Sequence, residues 1–223
     1  MKKVKISFII NIIIVICTII ASIMMFTGFR FMSGNDVALA STKVRMFKFF
    51  TVDSNIFMGI VALIFSIDEY KLLSGKIKEI SVKKYTLKLM ATVSVSLTFL
   101  IVLFYLGPIS EGGIYSMLLN SNLFFHLIIP ILSIINFIML ENSNKLKFKH
   151  SLYGVIPMLF YSIFYMSNVF LHVENGKVPV EYDWYWFVQN GIWTCFIVVP
   201  IIYILTFSIS FLSYKLNNKF YED

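Results

Sequence analysis

Six stretches of about 20 predominantly apolar residues, separated by polar or turn-forming breaks, constrain this chain more than any other feature, because about 20 such residues are what one helix needs to cross a hydrocarbon core of about 30 Å. The stretches lie near 7–29, 46–66, 86–106, 119–140, 152–172 and 185–213. Hydrophobic residues make up 58% of the chain and the mean hydropathy is +0.81, which excludes an ordinary soluble domain. The expected fold class is all-α: a polytopic membrane protein, a bundle of six transmembrane helices forming one integral membrane domain over 1–223.

Lysine and arginine asymmetry sets the orientation. With the amino terminus inside, the cytoplasmic side carries Lys2, Lys3, Lys5, Lys71, Lys76, Lys78, Lys83, Lys84, Lys145, Lys147, Lys149, Lys215 and Lys219. The outer side carries Arg30, Lys43, Arg45, Lys48 and Lys177, and Lys88 lies just inside the third span. The positive-inside rule therefore places both termini in the cytoplasm. The net charge of +7 follows from the same bias, with lysines facing anionic headgroups, so no nucleic-acid partner is called for.

Several chemistries are excluded by what the chain lacks. Cys17 and Cys195 both fall within spans, where they serve as small apolar packing residues, and there is no disulfide framework. No Gly-rich phosphate loop, GxSxG elbow or HExxH pair occurs. The first apolar run exceeds a typical signal-peptide core, so it reads as a retained signal-anchor helix. His126, His172 and Asp53 supply metal-ligand types, yet no spacing gathers them round one point, and neither metal nor cofactor is expected.

Polar residues inside the spans carry the functional information, since hydrocarbon makes an unpartnered polar group costly. Thr51, Asp53 and Asn55 lie in the second span, Asn122 and His126 in the fourth, Asn168 and His172 in the fifth. At 1.5 Å per residue, Thr51 sits roughly 8 Å and His126 roughly 10 Å below the outer surface, so their depths match. Gly107-Pro108 ends the third span at that surface, and Gln189 and Asn190 begin the sixth, which suggests one outer-leaflet cavity built by five helices. Thr51, Asn55 and Gly59 share one helix face; Asn122, His126 and Pro130 share another; Tyr161, Tyr165, Asn168 and His172 form a stripe on the fifth helix. Asp53 is turned about 200° from Thr51 and is expected to pair with Arg45 or Lys48. His150 reads as a solvated loop residue, and Trp184, Tyr185 and Trp186 as an outer aromatic anchor. The inner halves of the spans read as largely apolar, Asn136 being the chief exception, which argues against a continuous transport path.

The segment Phe49-Phe50-Thr51-Val52-Asp53-Ser54-Asn55, together with Leu106-Gly107-Pro108 and Phe125-His126-Leu127-Ile128-Ile129-Pro130, resembles the androgen-induced protein family of multispanning membrane hydrolases and its bacterial relatives. The likeness extends over most of the chain in the order and spacing of spans. It implies a threonine nucleophile and a histidine, here Thr51 and His126, that hydrolyse fatty acid esters of hydroxy fatty acids. Asp53 departs from the pattern, in which an uncharged residue such as Gln is expected for bacterial relatives.

A threonine hydroxyl needs a neighbouring base to remove its proton during attack, and a neutral imidazole suits that task. His126 is the expected base, with Asn55, Asn122, Asn168 and His172 as substrate-binding or orienting groups. The sequence therefore points to a hydrolase of lipid esters, with membrane lipids and the ester substrate as its partners. A non-catalytic lipid-binding or membrane-assembly protein and a small-solute transporter stay open beside it, and no protein partner is indicated. The abundance of Ile, Lys, Asn and Phe points to an AT-rich bacterial genome and hence to the cell membrane.

Overall fold

The computed structural model describes residues 1–32, 40–142 and 145–222. Six helices are long and apolar enough to cross a membrane: α1 (Lys2–Thr27), α2 (Phe50–Leu73), α3 (Val82–Ile109), α4 (Ser121–Leu140), α5 (Phe148–Leu171) and α6 (Ile192–Phe220). Among the described residues there is no strand, only an isolated bridge between Glu174 and Lys177. Lys3 Nζ lies 3.4 Å from the Phe220 carbonyl, so the chain begins and ends at the same end of the bundle.

The helices are inside-out in their polarity. On α1, Ser7, Asn11, Ile14, Thr18, Ala21 and Met25 recur at helical spacing and are buried, while Ile9, Ile13, Ile16, Ile20 and Ile23 are exposed on the other side. Small and polar residues let helix backbones approach where lipid offers no hydrophobic drive, and isoleucines meet the acyl chains. α2 and α3 are the most enclosed, each 61% buried over its most apolar window against 28% for α6, so the two form the centre of the bundle. Gly28, at φ +75°, ends α1 in the left-handed conformation common just past a helix terminus.

Wide π-type turns interrupt α3 at Val102–Leu106 and α4 at Phe124–Ile128, each shortly before a proline, Pro108 and Pro130. A proline has no N–H for the carbonyl four residues back and its ring crowds that carbonyl, which favours widening of the preceding turn.

Most span boundaries differ from the sequence reading by a few residues, and three of the differences have a cause visible in the contacts. α2 runs to Leu73 because Asp68 and Glu69, which look like an end, are both only 3% exposed and are partnered inside the bundle. α6 starts at Ile192, seven residues later than expected, because Asp183 folds the preceding segment into a loop and Gly191, at φ +107°, turns the chain into the helix. The fifth span begins at Phe148, where His150 is buried at the helix start and its Nδ1 accepts the Lys147 N–H at 2.7 Å; it is not a solvated loop residue.

Candidate functional site

A narrow cavity of about 60 Å³ lies at the end of the bundle away from the termini, among α2, α3, α5, α6 and the loop before α6. About 10–15 Å³ on this measure holds one water, so the space suits a slender group and not a whole lipid. Its wall is mostly apolar, with Leu97, Ile101, Val102, Val199 and Ile202 among the lining residues, and its hydroxyls come from Thr51, Thr98, Ser162, Tyr161, Tyr165, Tyr185 and Tyr203.

Thr51 reaches this wall from the first turn of α2 and is 7% exposed. Thr18, Thr27, Thr86, Thr98 and Thr206 each donate to the carbonyl one turn back, as threonines in helices commonly do. Thr51 does not, since the residue four before it, Phe47, lies ahead of α2, and its hydroxyl has no hydrogen bond among the described residues. The Thr51 carbonyl accepts from Asn55 Nδ2 at 2.7 Å and Ser54 Oγ at 3.1 Å.

The roof of the cavity is an aromatic cluster held by two anchors. Tyr185 accepts the Phe50 N–H at 2.7 Å, satisfying a first-turn donor of α2 that has no side-chain cap of its own. Burial pushes the Tyr185 phenol up to about 12. Asp183, 1% exposed, accepts the Tyr165 hydroxyl and the Phe187 N–H (3.0 Å) on Oδ1 and the Val188 N–H (3.0 Å) on Oδ2. Trp184 and Tyr185 are each only 6% exposed, and Trp184 Nε1 donates to Tyr161 at 3.1 Å. These two residues therefore pack inward as a lid on the site and do not form a lipid-facing anchor. Asp183 was not singled out in the sequence because its role depends on Tyr165, eighteen residues earlier on another element.

The other polar residues read from the sequence divide. Asn55, fully buried, donates through Nδ2 to the Phe125 carbonyl at 3.0 Å, which ties α2 to α4 one turn from Thr51 and one residue from His126. His126 is 1% exposed, and its Nδ1 lies 2.5 Å from the Met117 carbonyl. A carbonyl only accepts, so Nδ1 carries the hydrogen, and in the neutral ring Nε2 keeps a lone pair. His126 does not line the cavity, and no hydrogen bond joins it to Thr51. Asn122 is fully buried at the start of α4 and is also absent from the cavity wall, so four helices line it and not five. Asn168 and His172 hold the loop after α5: Asn168 Nδ2 donates to the Tyr182 carbonyl at 2.9 Å, and the His172 ring stacks on Tyr182 with centroids 3.5 Å apart. Tyr161 and Tyr165 of that stripe do face the cavity.

Asp53 makes no ion pair with Arg45 or Lys48. It lines a separate groove with Phe47, Phe57, Phe160 and Phe164, where a carboxylate in the first turn complements the helix dipole. The Lys48 ammonium lies instead over the rings of Phe49 (5.0 Å) and Trp184 (5.3 Å), and burial, with Arg45 nearby, holds it below the usual lysine range.

The half of the bundle that holds the termini is not apolar, contrary to the sequence reading. Ser7, Asn11, Glu69, Lys88, Asn136 and Glu141 are all buried there in one network. Glu69, Asn136 and Glu141 stand at or near the end of their helices, and Ser7 and Lys88 within two turns of a start, where a hydropathy window averages them away. The local signals were Asn136 and Lys88, polar residues inside the fourth and third spans, and the four-residue spacing of Ser7 and Asn11 on α1.

No known family model matches this chain, and no curated protein or solved structure matches it either.

Proposed function

We propose that this membrane protein hydrolyses lipid esters, admitting one acyl segment to the cavity and attacking the ester with Thr51. The reading rests on one observation: the Thr51 hydroxyl is left free of its own helix on the wall of a mostly apolar cavity, whereas Thr92, whose hydroxyl also has no partner among the described residues, does not line that wall. His126 serves as the base. With Nδ1–H committed to Met117, Nε2 accepts the Thr51 proton as Oγ adds to the ester carbonyl, and returns it to the departing alkoxide. Water then hydrolyses the acyl-threonine by the same route. Transfer requires Nε2 to come within hydrogen-bond reach of Oγ directly or through one water, and the Asn55 bond to α4 keeps the two segments adjacent. In this reading the lysine-rich end faces the cytoplasm, the cavity opens in the outer leaflet, and the membrane is the bacterial cell membrane.

A second reading, lipid binding without chemistry, is favoured by the position of His126 off the cavity wall. Labelling of the purified protein with a fluorophosphonate probe separates the two. The expected result is an adduct on Thr51, found by mass spectrometry, that is kept in Thr51→Ser and lost in Thr51→Ala and His126→Ala. A folded wild type that takes no label, or labels equally in the alanine variants, overturns the hydrolase in favour of binding alone.

A further inference from the structure

The buried network at the other end of the bundle has an unbalanced charge. Lys88 Nζ pairs with Glu141 Oε1 at 3.0 Å, both side chains being at most 1% exposed, and also donates to Asn11 Oδ1 at 2.5 Å. Glu141 Oε1 further accepts from Asn11 Nδ2 (2.8 Å) and Asn136 Nδ2 (3.0 Å). Glu69 lies beside this pair: Asn11 Nδ2 donates to its Oε2 at 2.9 Å, and Ser7 Oγ bridges Glu69 Oε1 closely and Glu141 Oε1 at 3.3 Å. Glu69 has no ion pair among the described residues. Asp68, the next carboxylate on α2, is turned to Lys84, and Lys2, Lys3, Lys5 and Lys215 are exposed. From α6 only the amide of Asn217 enters, donating to the Glu141 carbonyl at 2.9 Å. Two carboxylates thus face one ammonium in a region closed to water, where a net charge is costly.

Two atoms mark where the balancing charge goes. Glu141 Oε2 and Asn136 Oδ1 are both buried acceptors with no donor among the described residues, and they belong to groups that already touch through Oε1 and Nδ2. A proton on Oε2 supplies the donor that both lack. A metal ion is a poorer fit, because the Lys88 ammonium already occupies the place of a cation between the acceptors.

We propose that this cluster is a proton-binding site in which Glu69 and Glu141 share one exchangeable proton, bringing the two carboxylates and Lys88 to zero net charge. The proton comes from water at the end holding the termini, and no other bond changes. On Glu141 it is donated from Oε2 to Asn136, and Ser7 donates to Glu69, which fits the closer approach of Ser7 to Glu69. On Glu69 it is donated to Ser7, which turns its own hydrogen to Glu141. Passage between the two states turns the Glu141 carboxyl so that its protonated oxygen faces Ser7, which then gives its own hydrogen to Glu69 and takes the one from Glu141.

Infrared difference spectroscopy of the full chain in nanodiscs at neutral pH tests this. The expected spectrum contains one carboxylic acid carbonyl band that shifts in D₂O and on ¹³C-glutamate labelling. Glu69→Gln and Glu141→Gln should each remove it, since either leaves one carboxylate against Lys88, whereas Lys88→Met should double it. Glu79→Gln, at an exposed carboxylate, should leave it unchanged. A band that survives either buried Gln variant means that the proton belongs to one residue alone and overturns the sharing. Absence of a labelled-glutamate acid band in wild type overturns the site altogether, and that measurement needs no variant to fold.

Discussion

Replacing Asp183 with asparagine should loosen the cavity roof at a cost that can be worked out from its three hydrogen bonds. The carboxylate accepts from Tyr165 and the Phe187 N–H on one oxygen and from the Val188 N–H on the other, and is 1% exposed. An asparagine can keep the first oxygen and its two donors. Its amide nitrogen then faces the Val188 N–H, donor against donor, so one charge-assisted bond is lost and a buried N–H is left unsatisfied. Such losses cost about 2–4 kcal/mol together, or roughly 5–15 °C in Tm for a chain of this size. Tyr165→Phe removes only one of two donors from Oδ1 and should cost about 1 kcal/mol. Thermal unfolding in detergent, followed by tryptophan emission, measures both, and Trp184 beside the carboxylate reports the local change. The reasoning is refuted if Asp183→Asn melts with wild type, or if Tyr165→Phe costs more than Asp183→Asn, because the roof would then be held by ring packing and not by the carboxylate.

Three further outcomes follow from the same geometry. Gly59→Ala places a Cβ 2.7 Å from Thr18 Cγ2, so α1 and α2 must separate; the expected loss is about 1–3 kcal/mol, partly restored by Thr18→Ala, and an unchanged Tm rejects the close approach. Tyr185, with its phenol near 12 in the fold against about 10 unfolded, contributes stability that is complete below pH 10 and is lost as pH rises toward 12. Alkaline melts should therefore fall less steeply in Tyr185→Phe, and parallel curves would contradict the buried neutral phenol. Val199→Trp fills the cavity wall and should cut photo-crosslinking of a fatty-acyl probe about tenfold, whereas Phe104→Trp, at a residue that is 76% exposed, should not; equal crosslinking would place the probe elsewhere.

Parts of the site were legible before any contact was known. Thr51 could be singled out because a polar residue at the start of an apolar helix has few places to put its hydroxyl, and Tyr161 and Tyr165 could be aligned on one face by helical spacing alone. Asn168 and His172 lie on the same stripe and yet serve the loop after α5, because a stripe continues past the depth at which a cavity closes. His126 follows Phe125, whose carbonyl accepts from Asn55, but position along a helix says nothing of rotation about its axis, and its ring is committed to Met117.

What the sequence by itself determined is the set of six helices long and apolar enough to span a membrane and their order, since hydropathy over about 20 residues is a local sum that needs no knowledge of neighbours. What only the tertiary structure decided is which polar groups meet. The roof joins Asp183 to Tyr165, and the charged network joins α1, α2, α3 and α4 through Asn11, Glu69, Lys88 and Glu141. Each of those residues alone reads as a helix-end charge or a packing amide. Their burial becomes tolerable only where packing supplies every other member, and that condition is long-range, set by how the helices rotate and approach and not by the order of residues along any one of them.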